Sequence, residues 1–242
     1  MADTQASLAP AHVGTSGWGY PSWQPGFYPA GLDRSGFLSF YAARLDAVEL
    51  NATKYRLPSE EQFRSWAAQV PVGFRFAVKA PDGVERRLAT FEERVRALGD
   101  RLGCVRVVVE RPRDDGLLEL LLGSADPRIR YAFDLRDPTW DGVEERLAEV
   151  GAVRVGDTAG HAGWAYLRFR ELHNDGVELA RIAAELDAMA RVGIETYAFF
   201  RHGDAPDAPL AALRITAPET SLAGARPRRA GEADDGGAVV DR

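Results

Sequence analysis

Glu49 and Asn51 close the short segment Ala47-Val48-Glu49-Leu50-Asn51. Lys79 closes Phe74-Arg75-Phe76-Ala77-Val78-Lys79, and Arg136 closes Tyr131-Ala132-Phe133-Asp134-Leu135-Arg136. Arg168 and Arg170 follow Ala165, Tyr166 and Leu167 in the same rhythm. Side chains alternate across a strand, so each segment has one greasy face and one face that turns polar toward its C-terminal end. The carboxylates Glu49 and Asp134 are candidates for general acid and base work if neighbouring cations and burial tune them. The plainer role for each is an ion pair with such a cation. Lys79, Arg136 and Arg168 suit a phosphate or carboxylate ligand, arginine by its planar fork. They also suit charge balance with Glu49, Asp134 and Asp157. Asn51 can orient a ligand hydroxyl or cap the loop that follows it.

A second constellation is aromatic. Gly14-Thr-Ser-Gly-Trp-Gly-Tyr20 is followed by Trp23 and Phe27-Tyr28-Pro29, and Tyr55 stands after the second polar strand end. Trp18, Tyr20 and Tyr55 are candidate rim residues that stack on a sugar or base. Packing beneath the loop is the alternative. No metal site is read: His12, His161, His173 and His202 do not pair at ligand spacing. The turn after the first strand lacks a dinucleotide fingerprint, since Trp18 blocks close approach of a pyrophosphate. No phosphate-binding loop or nucleophile elbow occurs, so no cofactor is expected. Cys104 opens a strand, away from the polar ends, and reads as an inert buried thiol.

The elements that must position these groups alternate. Strands are predicted near 12–17, 46–50, 74–79, 104–110, 130–136, 152–157, 164–170 and 194–201. Ser59 with Gln62, and Thr90 with Glu93, form capping-box patterns ahead of helical stripes. Asp33 and Asp141 are expected to cap two further helices. Leu179, Ile182, Ala183, Leu186 and Met189 mark the clearest helix. The gap around Thr158 to Gly163 is too short for one. Repeated strand–helix units imply a parallel sheet, and eight imply an α/β fold closed as a TIM-type (β/α)8 barrel, one helix missing between strands six and seven. The polar face then points inward, and its charges gather at the C-terminal mouth: Glu49, Asn51, Lys79, Glu110, Asp134, Arg136, Asp157 and Arg168, with Arg201 at the end of the eighth strand. A salt-bridge network filling the barrel top is the competing account. The barrel is expected over residues 12–215, with a disordered tail over 216–242 rich in Ala, Gly, Pro, Arg and Asp.

The bulk figures exclude some classes. With 30 basic and 36 acidic residues in 242, the net charge is −6, which disfavours duplex nucleic acid as a partner. No apolar run is long enough to span a bilayer, so no membrane partner is expected. The single cysteine and a start without a basic or apolar leader point to the cytoplasm.

Gly14-Thr-x-Gly-Trp-x-Tyr20, Trp23, Phe27-Tyr-Pro29, Val48-Glu-x-Asn51, Tyr55-Arg-x-Pro58, Lys79-Ala-Pro81, Arg136, Trp140 and Asp157 resemble the YecE-like family, domain of unknown function seventy-two. The resemblance implies a TIM-type barrel with a polar pocket at the strand C-termini, and no established reaction. The chain departs from that pattern at the mouth. Lys54 stands for Phe, Asp134 for Glu and Asp137 for His. Asp82-Gly-Val-Glu-Arg replaces a Thr-His pair, and Val109-Glu-Arg-Pro112 replaces Gln-Leu-Pro-Pro. Arg168-Phe-Arg-Glu171 replaces an Arg-x-His-Gly step, and Phe200-Arg-His202 a Phe-x-Asn ending. Three functional readings follow. One is acid/base chemistry on a small anionic, phosphorylated or acidic sugar-like ligand. Another is binding or cleavage of a nucleic-acid phosphodiester. The third is a non-catalytic barrel that senses a ligand or binds a partner. Whether the chain is an enzyme is left open by its residues.

Overall fold

The computed structural model describes residues 8–51, 57–170, 176–201 and 203–216. Eight parallel strands run in the order β6-β5-β4-β3-β2-β1-β8-β7. They are β1 (Ala11–Thr15), β2 (Ala47–Leu50), β3 (Arg75–Lys79), β4 (Leu102–Val109), β5 (Tyr131–Leu135), β6 (Val153–Arg154), β7 (Trp164–Phe169) and β8 (Glu195–Phe200). The helices are α1 (Phe37–Ala42), α2 (Glu60–Ala68), α3 (Leu88–Val95), α4 (Asp115–Ser124), α5 (Glu144–Ala148), α6 (Gly176–Arg191) and α7 (Asp207–Thr216). One helix follows each strand except β6, whose link to β7 over residues 155–163 holds no helix. The sheet closes there through a narrow seam: Gly156 N–H donates to the Tyr166 carbonyl at 2.9 Å. Gly156 sits at φ 93°, a conformation that a side chain would strain. The chain is thus a nearly closed α/β barrel.

Alternation splits the buried residues into two cores. The outward faces of the strands pack with the helices, as Val48, Val78, Val105 and Phe133 do. The inward faces form a separate cluster of Ala47, Ala77, Cys104, Ala132, Val153, Trp164, Tyr166, Tyr197 and Phe199. This interior is filled from one side. Aromatic rings on β7 and β8 reach across to alanines on β2, β3 and β5. Trp164 meets Tyr197 edge-on at 5.9 Å, and Tyr166 lies 5.3 Å from Phe199. Cys104 is buried among them, and burial holds its thiol well above its ordinary pKa.

The helix starts follow local chemistry. The Ser59 hydroxyl accepts from Gln62 N–H at 3.2 Å and opens α2. The Asp33 carboxylate accepts from Ser35 N–H at 2.8 Å, starting the turn that leads into α1. Two expected caps are corrected. α3 starts at Leu88, so Thr90 lies inside its first turn and caps nothing. α5 starts after Val143, because the Asp141 carboxylate is held 3.2 Å from Arg154 instead.

The β1–β2 contact is short, pairing only Gly14 with Ala47 and Thr15 with Val48. The Tyr41 hydroxyl from α1 completes it, accepting from Thr15 N–H at 2.8 Å and donating to the Ala47 carbonyl at 2.9 Å. A Cβ on Gly14 would come within 1.9 Å of that carbonyl, so glycine is required for the approach. Tyr41→Phe strands two buried backbone groups, and should cost about 2 kcal/mol in urea unfolding. An unchanged midpoint would show that the ladder closes without the hydroxyl.

At the N-terminal end of the barrel, Glu195 accepts from His12 at 3.2 Å and lies 2.8 Å from Arg130. The His12 hydrogen bond outweighs burial and, with Arg130 and Tyr197, holds the Glu195 carboxyl down at about 2. Its folded pKa lies below the free value of 4.5. Its stabilisation is therefore complete above the free value and is lost as pH falls toward about 2. Acid unfolding across that window should be steeper for the wild type than for Glu195→Gln, as followed by circular dichroism.

Candidate functional site

Glu49 lies on β2 and is fully buried, at 0% exposure. It lies on the Ala47 side of β2, above the small residues of the inner cluster. Its Oε2 accepts from the Tyr166 hydroxyl at 2.5 Å and lies 2.8 Å from Arg106 Nε. Its Oε1 accepts from Asn51 Nδ2 at 3.2 Å and Arg168 Nε at 3.3 Å, and Arg106 donates to it at 3.4 Å. A carboxylate offers about four lone-pair sites, and these donors occupy them. Burial and the Glu49 charge both push the Tyr166 phenol well above its ordinary pKa, so it stays a donor.

Arg106 joins this carboxylate to the second. It is 2% exposed, and its Nη1 donates to Asp134 Oδ2 at 2.6 Å. Burial works against the guanidinium charge, but Glu49, Tyr166 and Asp134 outweigh it and hold its pKa above the ordinary value. The Nε contact to Glu49 is close without being a well-aligned hydrogen bond. Asp134 in turn holds Arg170, whose Nη2 lies 2.8 and 3.0 Å from its two oxygens. Arg136 Nη2 approaches Asp134 at 3.6 Å, while its Nη1 pairs with Glu110.

The outer side of this network opens onto a cleft of about 1070 Å³. Asp134, Arg136 and Arg170 line it together with Glu144, Arg154, Asp157 and His161. Arg154 is clamped by Glu144 at 2.7 Å and Asp141 at 3.2 Å. Asp157 accepts from His161 Nδ1 at 2.8 Å and from Ala159 N–H at 2.9 Å. That hydrogen bond and the Asp157 charge raise the His161 pKa above 6.5. The cleft lies where the barrel lacks a helix, along the link from β6 to β7.

Of the residues expected at the mouth, the structure brings Glu49, Asn51, Asp134, Arg136 and Arg168 into one network, and Asp157 onto the cleft wall. Asp157 lies beyond β6, in the turn that follows it, rather than inside a strand. Lys79 points from the inward face of β3 into a separate cleft of about 490 Å³, 3.5 Å from Asp82. Trp18 packs edge-on against Trp66 at 5.5 Å and Phe76 at 6.4 Å, outside the barrel wall. Tyr20 donates to the Ser16 carbonyl and lies 4.9 Å from the buried Trp23. The aromatic turn is thus largely a packed layer over α1, with Tyr28 stacked on Phe37 at 4.1 Å. Tyr55 lies outside the described residues, as does the tail from residue 217. Arg106, Tyr166 and Arg170 belong to the network although sequence reasoning did not select them. Their signal was parity: Arg106 shares a face with Cys104, and Tyr166 and Arg170 share one with Arg168. Among the described residues, no three His, Cys, Asp or Glu side chains are grouped so as to hold a metal ion.

With this geometry in view, comparison with known proteins is informative. The sequence matches the family described as "Protein of unknown function DUF72" over residues 12–228. The chain belongs to the DUF72 family. A curated relative is the UPF0759 protein YecE of Escherichia coli K12, 27% identical over 161 residues. That match covers 60% of this chain and 56% of YecE. The fold is shared with a DUF72 protein (TM1631) of Thermotoga maritima MSB8, with a TM-score of 0.73 and 23% identity over 85% of this chain and 97% of that one. A DUF72 protein (EF0366) of Enterococcus faecalis V583 gives 0.69 and 18% identity, covering 85% of this chain and 94% of that one. No helix among the described residues is long and apolar enough to cross a membrane.

Arg106 is the test of the network in this DUF72 barrel. Arg106→Ala leaves Glu49 and Asp134 buried without their shared cation and should cost about 3–5 kcal/mol. The triple variant Glu49→Gln, Arg106→Met, Asp134→Asn should cost less than Arg106→Ala alone. Urea denaturation checks both, and a cost under about 0.5 kcal/mol for Arg106→Ala would deny the network a structural role.

Proposed function

We propose that the mouth of this barrel binds a small anionic ligand of the phosphorylated or acidic sugar class, in the cleft between β5 and the β6–β7 link. One observation carries this reading: Asp134 anchors Arg136 and Arg170 from behind while both side chains remain 35–40% exposed on the cleft wall. A guanidinium fixed by a buried carboxylate loses little freedom on meeting a ligand, and its remaining N–H groups are already aimed. The acidic groups that line the cleft beside them, Glu144, Glu145 and Asp157, suit a polyhydroxylated body attached to the anion.

In this reading Glu49 is a positioning residue. It meets no open cleft, and its oxygens are taken by Tyr166, Asn51, Arg168 and Arg106. It fixes Arg106, which fixes Asp134, which presents the two outer arginines. Asn51 and Arg168 complete that frame. Acid/base work falls to groups that face the cleft.

The test is a thermal-shift screen with sugar phosphates and sugar acids, ionic strength held constant. A ligand found in this way should bind at least about tenfold more weakly to Arg170→Ala and to Arg136→Ala, the loss expected of one charge-assisted hydrogen bond. Full affinity in both variants would sink the reading.

A further inference from the structure

His161 lines the same cleft as Arg136 and Arg170, with its ring fixed by Asp157. Nδ1 is committed to that carboxylate at 2.8 Å, so Nε2 is the nitrogen left to meet a ligand. Its side chain is 37% exposed and Asp157 is 13% exposed, which makes the dyad a partly sunken, pre-set donor.

The charges around it are mixed and lean negative. Three arginines line the cleft, Arg136, Arg154 and Arg170, against four carboxylates, Asp134, Glu144, Glu145 and Asp157. The buried layer beneath adds Arg106 and Arg168 against Glu49. Glu110 on Arg136 and Asp141 on Arg154 bring the acids to seven against five arginines, so the net charge is −2 with a neutral imidazole and −1 when it is protonated. The groups facing His161 are Asp157 on its own turn, Glu144 and Glu145 on α5, Arg154 on β6, and the β5 and β7 ends beyond. The acids favour the imidazolium.

Donors reach the cleft from three successive strand ends, with Arg136 after β5, Arg154 on β6 and Arg170 after β7, and from the His161 turn between them. A planar carboxylate is matched by one arginine fork. Donors arriving from several directions suit a tetrahedral oxyanion instead.

We propose that His161, oriented by Asp157, is a ligand-binding residue for the doubly charged tetrahedral head of the ligand, a phosphoryl or sulfuryl group, and that its imidazolium form completes the site. This rests on the anion-binding reading above and narrows it. Protonation adds a cation and a second N–H donor beside the arginines and halves the excess negative charge that opposes an anion. Capture therefore strengthens as pH falls through the His161 pKa, and weakens above it.

Inorganic sulfate is the probe, because its charge does not change in this range. Its affinity is measured by calorimetry at fixed ionic strength, alongside histidine NMR in which His161→Gln identifies the resonance among the four histidines. Sulfate should bind roughly tenfold more tightly at about pH 5.5 than at about pH 9, the size of one added charge discounted for solvent. His161→Gln should flatten that profile while leaving weak binding in place. Asp157→Asn should move both the NMR midpoint and the affinity midpoint to lower pH, which a merely structural aspartate would not do. A flat wild-type profile with intact sulfate binding, or a slope retained in His161→Gln, would overturn the role of His161 and leave the anion site standing. Absence of sulfate binding at every pH, together with no sugar phosphate or sugar acid in the screen, would overturn the site itself.

Discussion

A single guanidinium, that of Arg106, lies almost fully buried between two carboxylates inside the barrel. A charge in that position is costly unless it is paired, and each carboxylate is costly without it. The three groups therefore have to be placed together, and β2, β4 and β5 must hold the register that brings them there. The requirement explains the small residues below. Ala47, Ala77 and Ala132 share the interior with the rings of β7 and β8. The rings fill the lower barrel, and the upper barrel is left to the charges. Tyr166 bridges the two regions, with its ring in the apolar layer and its hydroxyl on Glu49.

Charge then propagates outward in steps. Glu49 and Asp134 share Arg106, and Asp134 also holds Arg170 and approaches Arg136. The inner members are sealed from solvent and the outer ones are not. Ion pairs of this kind add little net stability compared with a well-packed apolar core. What they do supply here is placement: two arginines fixed at the edge of an open cleft.

Much of this was legible in the chain. Period-two alternation located all eight strands and the polar face of the second, third, fifth and seventh, because a strand's side-chain period does not depend on its surroundings. The absence of a helix between the sixth and seventh strands followed from length alone. The site was read less completely, for reasons that are physical. Polar groups were sought at strand ends, where a barrel mouth lies, so Arg106 inside Val105-Arg106-Val107-Val108 was passed over in favour of Glu110. In the structure β4 stops at Val109, and Glu110 turns out to meet Arg136. A mid-strand arginine is affordable only when two acids on neighbouring strands reach it, and sequence does not show neighbours. The aromatic turn left two readings open for a related reason. Trp18, Trp23 and Tyr28 signal rigidity, but whether rings line a pocket or a core depends on which surface covers them. Asp141 and Thr90 failed as caps because capping is one of several uses for such residues, and Arg154 competed for Asp141.

The missing helix and the altered residues of the mouth belong to one arrangement. Where the family pattern carries Glu and then His, this chain has Asp134 and Arg170. The acid is shorter by one methylene and the cationic side chain longer, so the pair still meets, at 2.8 Å. The Arg170 guanidinium is held on Asp134 and lines the cleft. No helix covers the β6–β7 link, so the seam rests on the Gly156 bond and the turn bearing Asp157 and His161 lines the cleft. A full helix at this point would pack its apolar face over the strand ends. Leaving it out exposes polar strand termini at one place on the rim, and the substitutions place arginine there. Two of the departures, Asp134 and Arg170, thus stand beside the place where the regular barrel is interrupted, and the ligand site is proposed there rather than at the sealed carboxylate of Glu49.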